Sequence, residues 1–301
     1  MRFNPKADIS GGRVTDVRGG GGGGGGMGNL PIGSITGGGI GTTIIVIIIF
    51  VIMQFAGGGG GGGGGPAETT DRYDQCLSGA DANESADCAR RAVAVSLENY
   101  WAQTLPAQTG TQFRPTTIET FSGGVSTGCG NASKDVGPFY CPTDETIYLD
   151  TTFFEDVLEG QLGGRGGDFV EPYVIGHEYG HHIQNLLGTM GQVRTQQGPT
   201  SDSVRLELQA DCYAGMWTHG ATGTTDSKGI KIFASIDQGD ISEALDAAKT
   251  VGDDRIQKQG GGDVNKEQWT HGSSEQRARW FTTGLNATDI RQCDTFSASS
   301  L

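Results

Sequence analysis

The chain has 301 residues and a formal net charge of −14 at pH 7, from 21 lysines and arginines against 35 aspartates and glutamates. A chain this acidic repels phosphate backbones, which excludes nucleic acid as a partner. Glycine supplies 53 residues, and glycine runs at 19–26 and 57–65 bury no apolar surface, so we expect the first 65 residues to lie outside any globular core.

An apolar stretch lies between the two glycine runs. Ile44–Met53 contains no polar side chain, and its extension to residues 40–56 would be roughly 25 Å long as a helix, the lower limit for crossing a bilayer. Lysine and arginine concentrate before it, which places the N-terminus in the cytoplasm. The prediction is a cytoplasmic segment at 1–39, one transmembrane helix at 40–56 within the lipid bilayer, a polyglycine linker at 57–66, and a periplasmic or extracellular domain at 67–301.

Two other interpretations of this stretch stay open. It could be the apolar part of a signal peptide cleaved after Ala56, although the long glycine-rich leader and the lack of an A-x-A site argue against cleavage. It could instead be an isoleucine-rich core strand, although polyglycine on both sides separates it from any core.

All six cysteines follow the apolar stretch. An even number of cysteines in an oxidising compartment indicates disulfide bonds. Of the many pairings that six cysteines allow, closeness in sequence favours Cys76–Cys88 and Cys129–Cys141, which leaves Cys212–Cys293. No C-x-x-C occurs, so we expect neither a cysteine zinc cluster nor a dithiol redox motif.

The pattern of the body predicts an α+β fold, mainly helical with a small sheet. Apolar residues spaced by three and four predict helices, and β-rich runs bounded by glycine and proline predict strands. Gly188 is a natural helix C-cap, and capping boxes at Asp240–Glu243 and Ser273–Gln276 predict two helix starts. The predicted elements in chain order are a helix at 84–105, strands at 116–121 and 146–149, and helices at 169–187, 203–217, 244–257 and 277–284.

The motif His177-Glu178-x-x-His181 lies inside the helix predicted at 169–187. Residues four apart share one helical face, so both imidazoles can bind one ion, and zinc accepts neutral imidazole. Glu178 lies beside the pair and can act as the general base on a metal-activated water. A chance match would not prefer a helix whose other face is apolar.

A catalytic zinc site keeps three protein ligands and one open position, so a third ligand is needed. The pattern HExxHxxGxxH is excluded, because this chain has Gln184 and Leu187 at the required glycine and histidine. Glu207 and Asp211 share one face of the next predicted helix. Glu207 is the predicted third ligand, and Asp211 is predicted to accept the free ring N–H of a ligating histidine. Asp226, in a turn-like context, is a weaker alternative ligand.

Three further histidines need an interpretation. His271 precedes the last predicted helix, and we predict that it donates a hydrogen bond to the oxyanion formed during attack on a peptide carbonyl; a histidine in a helix-capping loop is the alternative. His182 lies one residue off the ligand face and is expected behind the ligands or at the surface. His219 lies at a helix end, where a structural role is expected.

With these residues in place, the chain resembles the neutral zinc metallopeptidases of bacteria. The resemblance rests on HEYGHHIQ, SVRLELQADCYAG, GDDRIQ, THGSSEQRARWF and PFYCPTDETIYLD, and it covers most of residues 70–296. It implies a zincin-like peptidase domain preceded by one membrane helix, with His177 and His181 as zinc ligands, Glu178 as the catalytic glutamate and Glu207 as the third ligand. The spacing of Glu207 and Asp211 is similar to that in thermolysin-like zinc peptidases.

These features together predict a membrane-anchored zinc metallopeptidase that hydrolyses peptides or proteins outside the cytoplasm. One alternative is a zinc-binding but catalytically inactive interaction module of the cell envelope. The other is a metal-free structural domain. Peptide cleavage with and without a chelator separates the first alternative from the peptidase, and the zinc content separates the second.

Overall fold

The computed structural model describes residues 1–18, 69–133 and 136–301. Within these ranges no helix combines the length and the apolar character that a membrane crossing needs. The transmembrane helix predicted at 40–56 and the linker predicted at 57–66 lie outside the described residues.

The described part of the chain is mainly helical with small sheets, so the predicted α+β class is confirmed. The α-helices are α1 (Gly79–Ala82), α2 (Ala86–Thr109), α3 (Val170–Leu187), α4 (Asp202–Gly220), α5 (Gln238–Thr250), α6 (Asp253–Gln259) and α7 (Ser274–Asn286). Shorter turns of helix are a π-helix at Phe154–Glu159 and 3₁₀ turns at Met190–Gln192, Ala221–Gly223, Lys266–Gln268 and Ile290–Cys293.

Among the described residues, the strands are short and belong to three small sheets. They are β1 (Arg2–Phe3), β2 (Val14–Asp16), β3 (Thr117–Phe121), β4 (Gly124–Thr127), β5 (Gly130–Ser133), β6 (Phe139–Cys141), β7 (Thr146–Asp150) and β8 (Phe233–Ser235). The largest sheet has the order β2-β3-β7-β6, with β2 and β7 parallel to β3 and β6 antiparallel to β7. The two predicted strands are therefore the central pair of this sheet.

Two predicted helix ends are confirmed and one predicted helix is wrong. α3 ends at Gly188, whose φ of 74° is left-handed, and α7 begins with the predicted capping box of Ser273 and Gln276. The helix predicted at 244–257 is instead two helices, α5 and α6, of which α5 begins at the capping box of Asp237 and Asp240. The helix is interrupted at Gly252. A Cβ at this position would lie 2.4 Å from the backbone nitrogen of Ser274.

Residues 1–18 belong to the folded body, so the expectation that the first 65 residues lie outside the core is wrong for them. β1 pairs with β8 in an antiparallel ladder, and β2 pairs with β3 in a parallel one. Phe3 and Ile9 are buried in the main core, and the Phe3 ring lies 4.8 Å from the ring of Phe233. The glycine composition is a poor guide here because a glycine run carries no information about the residues before it.

Residue 70, at the start of the second described range, packs beside β2. Thr70 donates its backbone N–H to the carbonyl oxygen of Asp16 at 2.7 Å, and its hydroxyl donates to the Asp16 carboxylate at 2.5 Å. The Asp16 side chain is fully buried and also accepts from Thr120 at 2.7 Å. Residues 69 and 70 therefore return to the end of β2.

Replacing Ile9 with alanine should destabilise the whole body. Ile9 has no solvent exposure, and truncating a buried isoleucine to alanine costs about 2–5 kcal/mol. Urea unfolding followed by circular dichroism measures the change, with the exposed Lys6→Ala as the matched control in the same segment. Equal stability of Ile9→Ala and the parent protein would show that residues 1–18 do not pack on the body.

Close helix crossings set the geometry of the interior. A Cβ at Gly180 of α3 would lie 3.0 Å from the Cα of Ala210 on α4, and a Cβ at Gly284 of α7 would lie 1.9 Å from the carbonyl oxygen of Cys212 on α4. Only glycine permits the second approach without movement of a backbone. These contacts hold α3, α4 and α7 together with their polar residues facing one interior space.

All six cysteines are paired, as Cys76–Cys88, Cys129–Cys141 and Cys212–Cys293. The pairing predicted from closeness in sequence is thereby confirmed. The third bond ties α4 to the chain near its C-terminal end.

Candidate metal centre

Two imidazoles and one carboxylate converge where α3 crosses α4. His177 and His181 lie one turn apart on α3, and Glu207 faces them from α4; all three are buried. The Glu207 oxygens lie 3.2 Å from His177 Nε2 and 3.3 Å from His181 Nε2. One ligand atom from each residue lies within 4.8 Å of the others, close enough for all three to hold one metal ion.

Hydrogen bonds behind the two histidines fix their ring orientation. His177 Nδ1 lies 2.9 Å from Asp211 Oδ1, the contact expected of Asp211 from the sequence. His181 Nδ1 lies 2.8 Å from Gln184 Oε1. The amide nitrogen of Gln184 donates to the carbonyl oxygen of Leu206 at 2.7 Å and to Gln209 at 3.1 Å, so its oxygen is held toward the histidine.

A buried arginine and a tyrosine complete the surroundings of Asp211. Arg277 of α7 donates to both Asp211 oxygens, from Nε at 2.8 Å and from Nη2 at 2.9 Å. The Tyr173 hydroxyl donates to Asp211 at 2.6 Å. A bidentate guanidinium–carboxylate pair is strong and geometrically specific, so Asp211 is held firmly against His177.

The arrangement of donors and acceptors fits a metal ion. Because Asp211 and Gln184 present oxygens to the two Nδ1 atoms, each neutral ring carries its proton there and presents the lone pair of Nε2 to Glu207. Two lone pairs and a carboxylate facing one another in a buried space are unfavourable unless a cation lies between them or the rings are protonated. Imidazole nitrogens backed by acceptors, together with one carboxylate, are a typical catalytic zinc donor set.

The charge balance of the centre is set by its two carboxylates. Burial disfavours protonation of His177, but Asp211 and Glu207 outweigh it and raise its pKa to about 9. Burial would raise the pKa of Glu207, but His181 and His177 hold it well below its usual range. Burial is likewise outweighed at Asp211, where Arg277 and His177 lower the pKa to about 2. The two carboxylates are thus ionised, and in the absence of metal the histidines carry the compensating positive charge.

Glu178 lies next to the ligands and borders the same cavity. Its side chain is buried, and burial raises its pKa, an effect that the neighbouring His181 and His177 oppose. We call the cavity bordered by His177, Glu178, His181, Glu207 and His271 the metal-site pocket; its volume is about 120 Å³. A carboxylate at this position can exchange a proton with a molecule in the pocket.

His271 reaches the metal-site pocket from the loop before α7, held there by Asp253. Asp253 Oδ2 accepts the backbone N–H groups of Thr270, His271 and Gly272 at 2.8, 2.7 and 2.9 Å. His271 Nδ1 lies 2.9 Å from the Thr270 hydroxyl and 3.3 Å from Asp253 Oδ1. Nε2 is therefore the ring nitrogen left to face the pocket.

The other candidates from the sequence lie elsewhere. His182 is fully buried, with its ring nitrogens 3.0 Å from the Tyr140 hydroxyl and 2.7 Å from the carbonyl oxygen of Arg114; it ties α3 to the sheet. His219 is exposed at the end of α4. The carboxylate of Asp226 accepts backbone N–H groups of neighbouring segments and is not part of the three-residue group.

Four residues of this region were not singled out from the sequence: Arg277, Tyr173, Gln184 and Asp253. Gln184 follows His181 by three residues on one helix, so helical spacing could have suggested it. Arg277 and Asp253 act across distant segments, and no local spacing reveals such partners.

The comparison with known families and proteins agrees with this geometry. A family model described as "Putative neutral zinc metallopeptidase" matches residues 1–296. The chain is 50% identical over 229 residues to the uncharacterized protein Rv2575 of Mycobacterium tuberculosis, covering 75% of this chain and 76% of the relative. It is 41% identical over 213 residues to the uncharacterized protein YpfJ of Escherichia coli, covering 69% and 70%. No solved structure gives a significant match.

Proposed function

Because the chain belongs to the neutral zinc metallopeptidase family, we propose that it hydrolyses peptide bonds with a zinc ion held by His177, His181 and Glu207. The observation that carries the proposal is the convergence of both Nε2 atoms on the Glu207 carboxylate. A bound zinc ion supplies Lewis-acid activation of the scissile carbonyl and of the attacking water.

Glu178 is the general base in this proposal. It borders the metal-site pocket from the same helix as the two histidines. Its carboxylate takes a proton from the attacking water and then delivers it to the leaving amine, a role for which one positioned side chain is sufficient.

His271 stabilises the oxyanion that develops on the scissile carbonyl. When the Thr270 hydroxyl donates to Nδ1, the ring proton is on Nε2, which faces the metal-site pocket. A preorganised N–H donor aimed at developing negative charge lowers the barrier without reorganisation. Asp253 holds the loop in place by accepting the backbone N–H of His271.

Replacing His271 with alanine should lower kcat by about 10²–10³-fold, the usual loss for one oxyanion donor. KM and zinc content should change little, because His271 is not among the three converging ligand residues. The matched control is His219→Ala, which removes an exposed histidine from the end of α4. A kcat equal to that of the control would leave His271 as a loop residue without a catalytic role.

We place the body in an oxidising compartment outside the cytoplasm. The support is that all six cysteines are disulfide-bonded, and such bonds persist outside the reducing cytosol. The contact of residues 40–56 with a lipid bilayer remains a prediction from the sequence. On this proposal, the substrates of the protein are peptides or proteins of the same compartment.

The test is metal content together with peptide cleavage by the purified full chain. We expect one zinc per chain, cleavage of an unstructured protein substrate, loss of cleavage on chelation and recovery when zinc is restored. A zinc-loaded protein that cleaves nothing would favour the inactive binding module instead. A protein that binds no zinc would favour the structural domain.

A further inference from the structure

The metal-site pocket has one polar end and an otherwise apolar wall. The polar end is the metal centre, with Glu178 and His271 beside it. The wall comes from separate elements that meet around the cavity. Its apolar members include Val136, Pro138, Phe153, Val174, Met190 and Val251.

The wall begins within one helical turn of the reacting groups. Val174 precedes His177 by three residues and Glu178 by four on α3, so the three side chains share a helical face. Val174 and Glu178 both line the metal-site pocket, so a molecule that reacts at Glu178 has Val174 within its reach. An apolar surface this close to the reacting atoms touches a residue flanking the scissile bond.

The size of the pocket limits what can fill it. Its volume is about 120 Å³. An apolar cavity of about 150 Å³ holds one benzene molecule, whereas sites for drug-sized ligands measure about 300–1,000 Å³. With the metal centre at its polar end, the rest of this partly open space suits no more than one apolar side chain, of the size of leucine, methionine or phenylalanine.

The chemistry of the wall excludes a charged occupant. The guanidinium of Arg277, the cation at the edge of the pocket, is already paired with Asp211. The carboxylates of Glu178 and Glu207 lie at the polar end and are assigned to the reaction and the metal. A lysine, aspartate or glutamate side chain lying along the apolar wall would therefore lose its hydration without an opposite charge beside it, which is costly. The apolar wall thus selects among peptides as well as holding them.

We propose that the metal-site pocket is the specificity pocket of the peptidase and accepts an apolar, leucine- to phenylalanine-sized side chain flanking the scissile bond. This inference rests on the proposed function for its reaction, but the preference itself is a binding property. Val174 is its specificity-determining residue, because it is the wall residue one turn before the metal ligands on α3.

A peptide series tests the preference. Each peptide carries Leu, Phe, Ala, Asp or Lys at a residue flanking the scissile bond within one constant sequence. We expect kcat/KM for Leu and Phe to exceed that for Ala by about 10–100-fold, and that for Asp and Lys by more than 100-fold. Equal values across the series, or a preference for charge, would overturn the inference while leaving the peptidase function intact.

A substitution in the apolar wall tests the role of Val174. Val174→Phe should fill the pocket and lower kcat/KM for the Phe and Leu peptides by about 10-fold or more, with the Ala peptide affected least. The matched control is Val264→Phe, which enlarges a half-buried valine outside the pocket. Zinc content and thermal unfolding check that both variants are folded. An unchanged order of preference in a folded Val174→Phe protein would remove Val174 from the proposal.

A binding measurement separates the proposed specificity pocket from the proposed peptidase function. Zinc-loaded Glu178→Gln protein should bind the Leu peptide about 10-fold more tightly than the Asp peptide by fluorescence anisotropy. If the parent protein cleaves none of the peptides but this preference is present, the specificity pocket stands and the peptidase function fails. If binding is equal for all peptides, the specificity pocket fails whatever the parent protein cleaves.

Discussion

Glu178→Gln should reduce kcat for peptide hydrolysis by about 10²–10⁴-fold, the range that general acid–base catalysis contributes, with zinc still bound at one ion per chain. The amide has nearly the shape of the carboxylate but cannot accept the proton of the attacking water. The three ligand residues are untouched, because the converging group consists of His177, His181 and Glu207. Steady-state kinetics and elemental analysis of the same sample measure both quantities.

The matched control for this substitution is Glu275→Gln, which makes the same chemical change at an exposed position in the first turn of α7. Its kcat should equal that of the parent protein. Undiminished hydrolysis by Glu178→Gln would end the assignment of the general base. Loss of zinc from that variant would instead place Glu178 among the ligands.

Glu207→Ala should lower zinc affinity by more than about 100-fold, because loss of a residue merely hydrogen-bonded to a ligand already costs 10–100-fold. The two histidines would remain but would lack the carboxylate that both face. Since a ligand that binds only the folded state stabilises it, a chelator should lower the Tm of the parent protein. The Tm of Glu207→Ala should not respond to the chelator.

Asp226→Asn is the matched control, because Asp226 is the other third ligand that the sequence allows. Its carboxylate is engaged with backbone N–H groups of Asp8, Lys228 and Ile230, and the asparagine should keep full zinc. Full zinc in Glu207→Ala, with loss of zinc in Asp226→Asn, would contradict the metal centre described above.

Local spacing accounts for what the sequence predicts well. His177 and His181 are four residues apart on one helix, as are Glu207 and Asp211, so each pair lies on one face whatever the rest of the fold does. The same holds for the capping box at Ser273 and for the two disulfides that close short loops. These features need no knowledge of how helices pack.

Features that depend on distant partners were missed or placed wrongly. In the sequence, nothing distinguishes Arg277 from an ordinary helical arginine. Its contact with Asp211 arises from the packing of α7 on α4. The role of Asp253 depends on the interruption of the predicted helix 244–257 at Gly252. A new helix starts there and places Asp253 against the loop of His271. Residues 1–18 were assigned away from the body because composition cannot show a strand pairing with β3.

The pairing of β2 with β3 constrains the side of a membrane on which the N-terminal residues lie. Asp16 and Thr70 are hydrogen-bonded neighbours, and β2 lies in the same sheet as β3, so residues 1–18 and the disulfide-bonded body share one aqueous compartment. An arrangement with residues 1–18 in the cytoplasm and the body outside it would require β2 to leave the sheet.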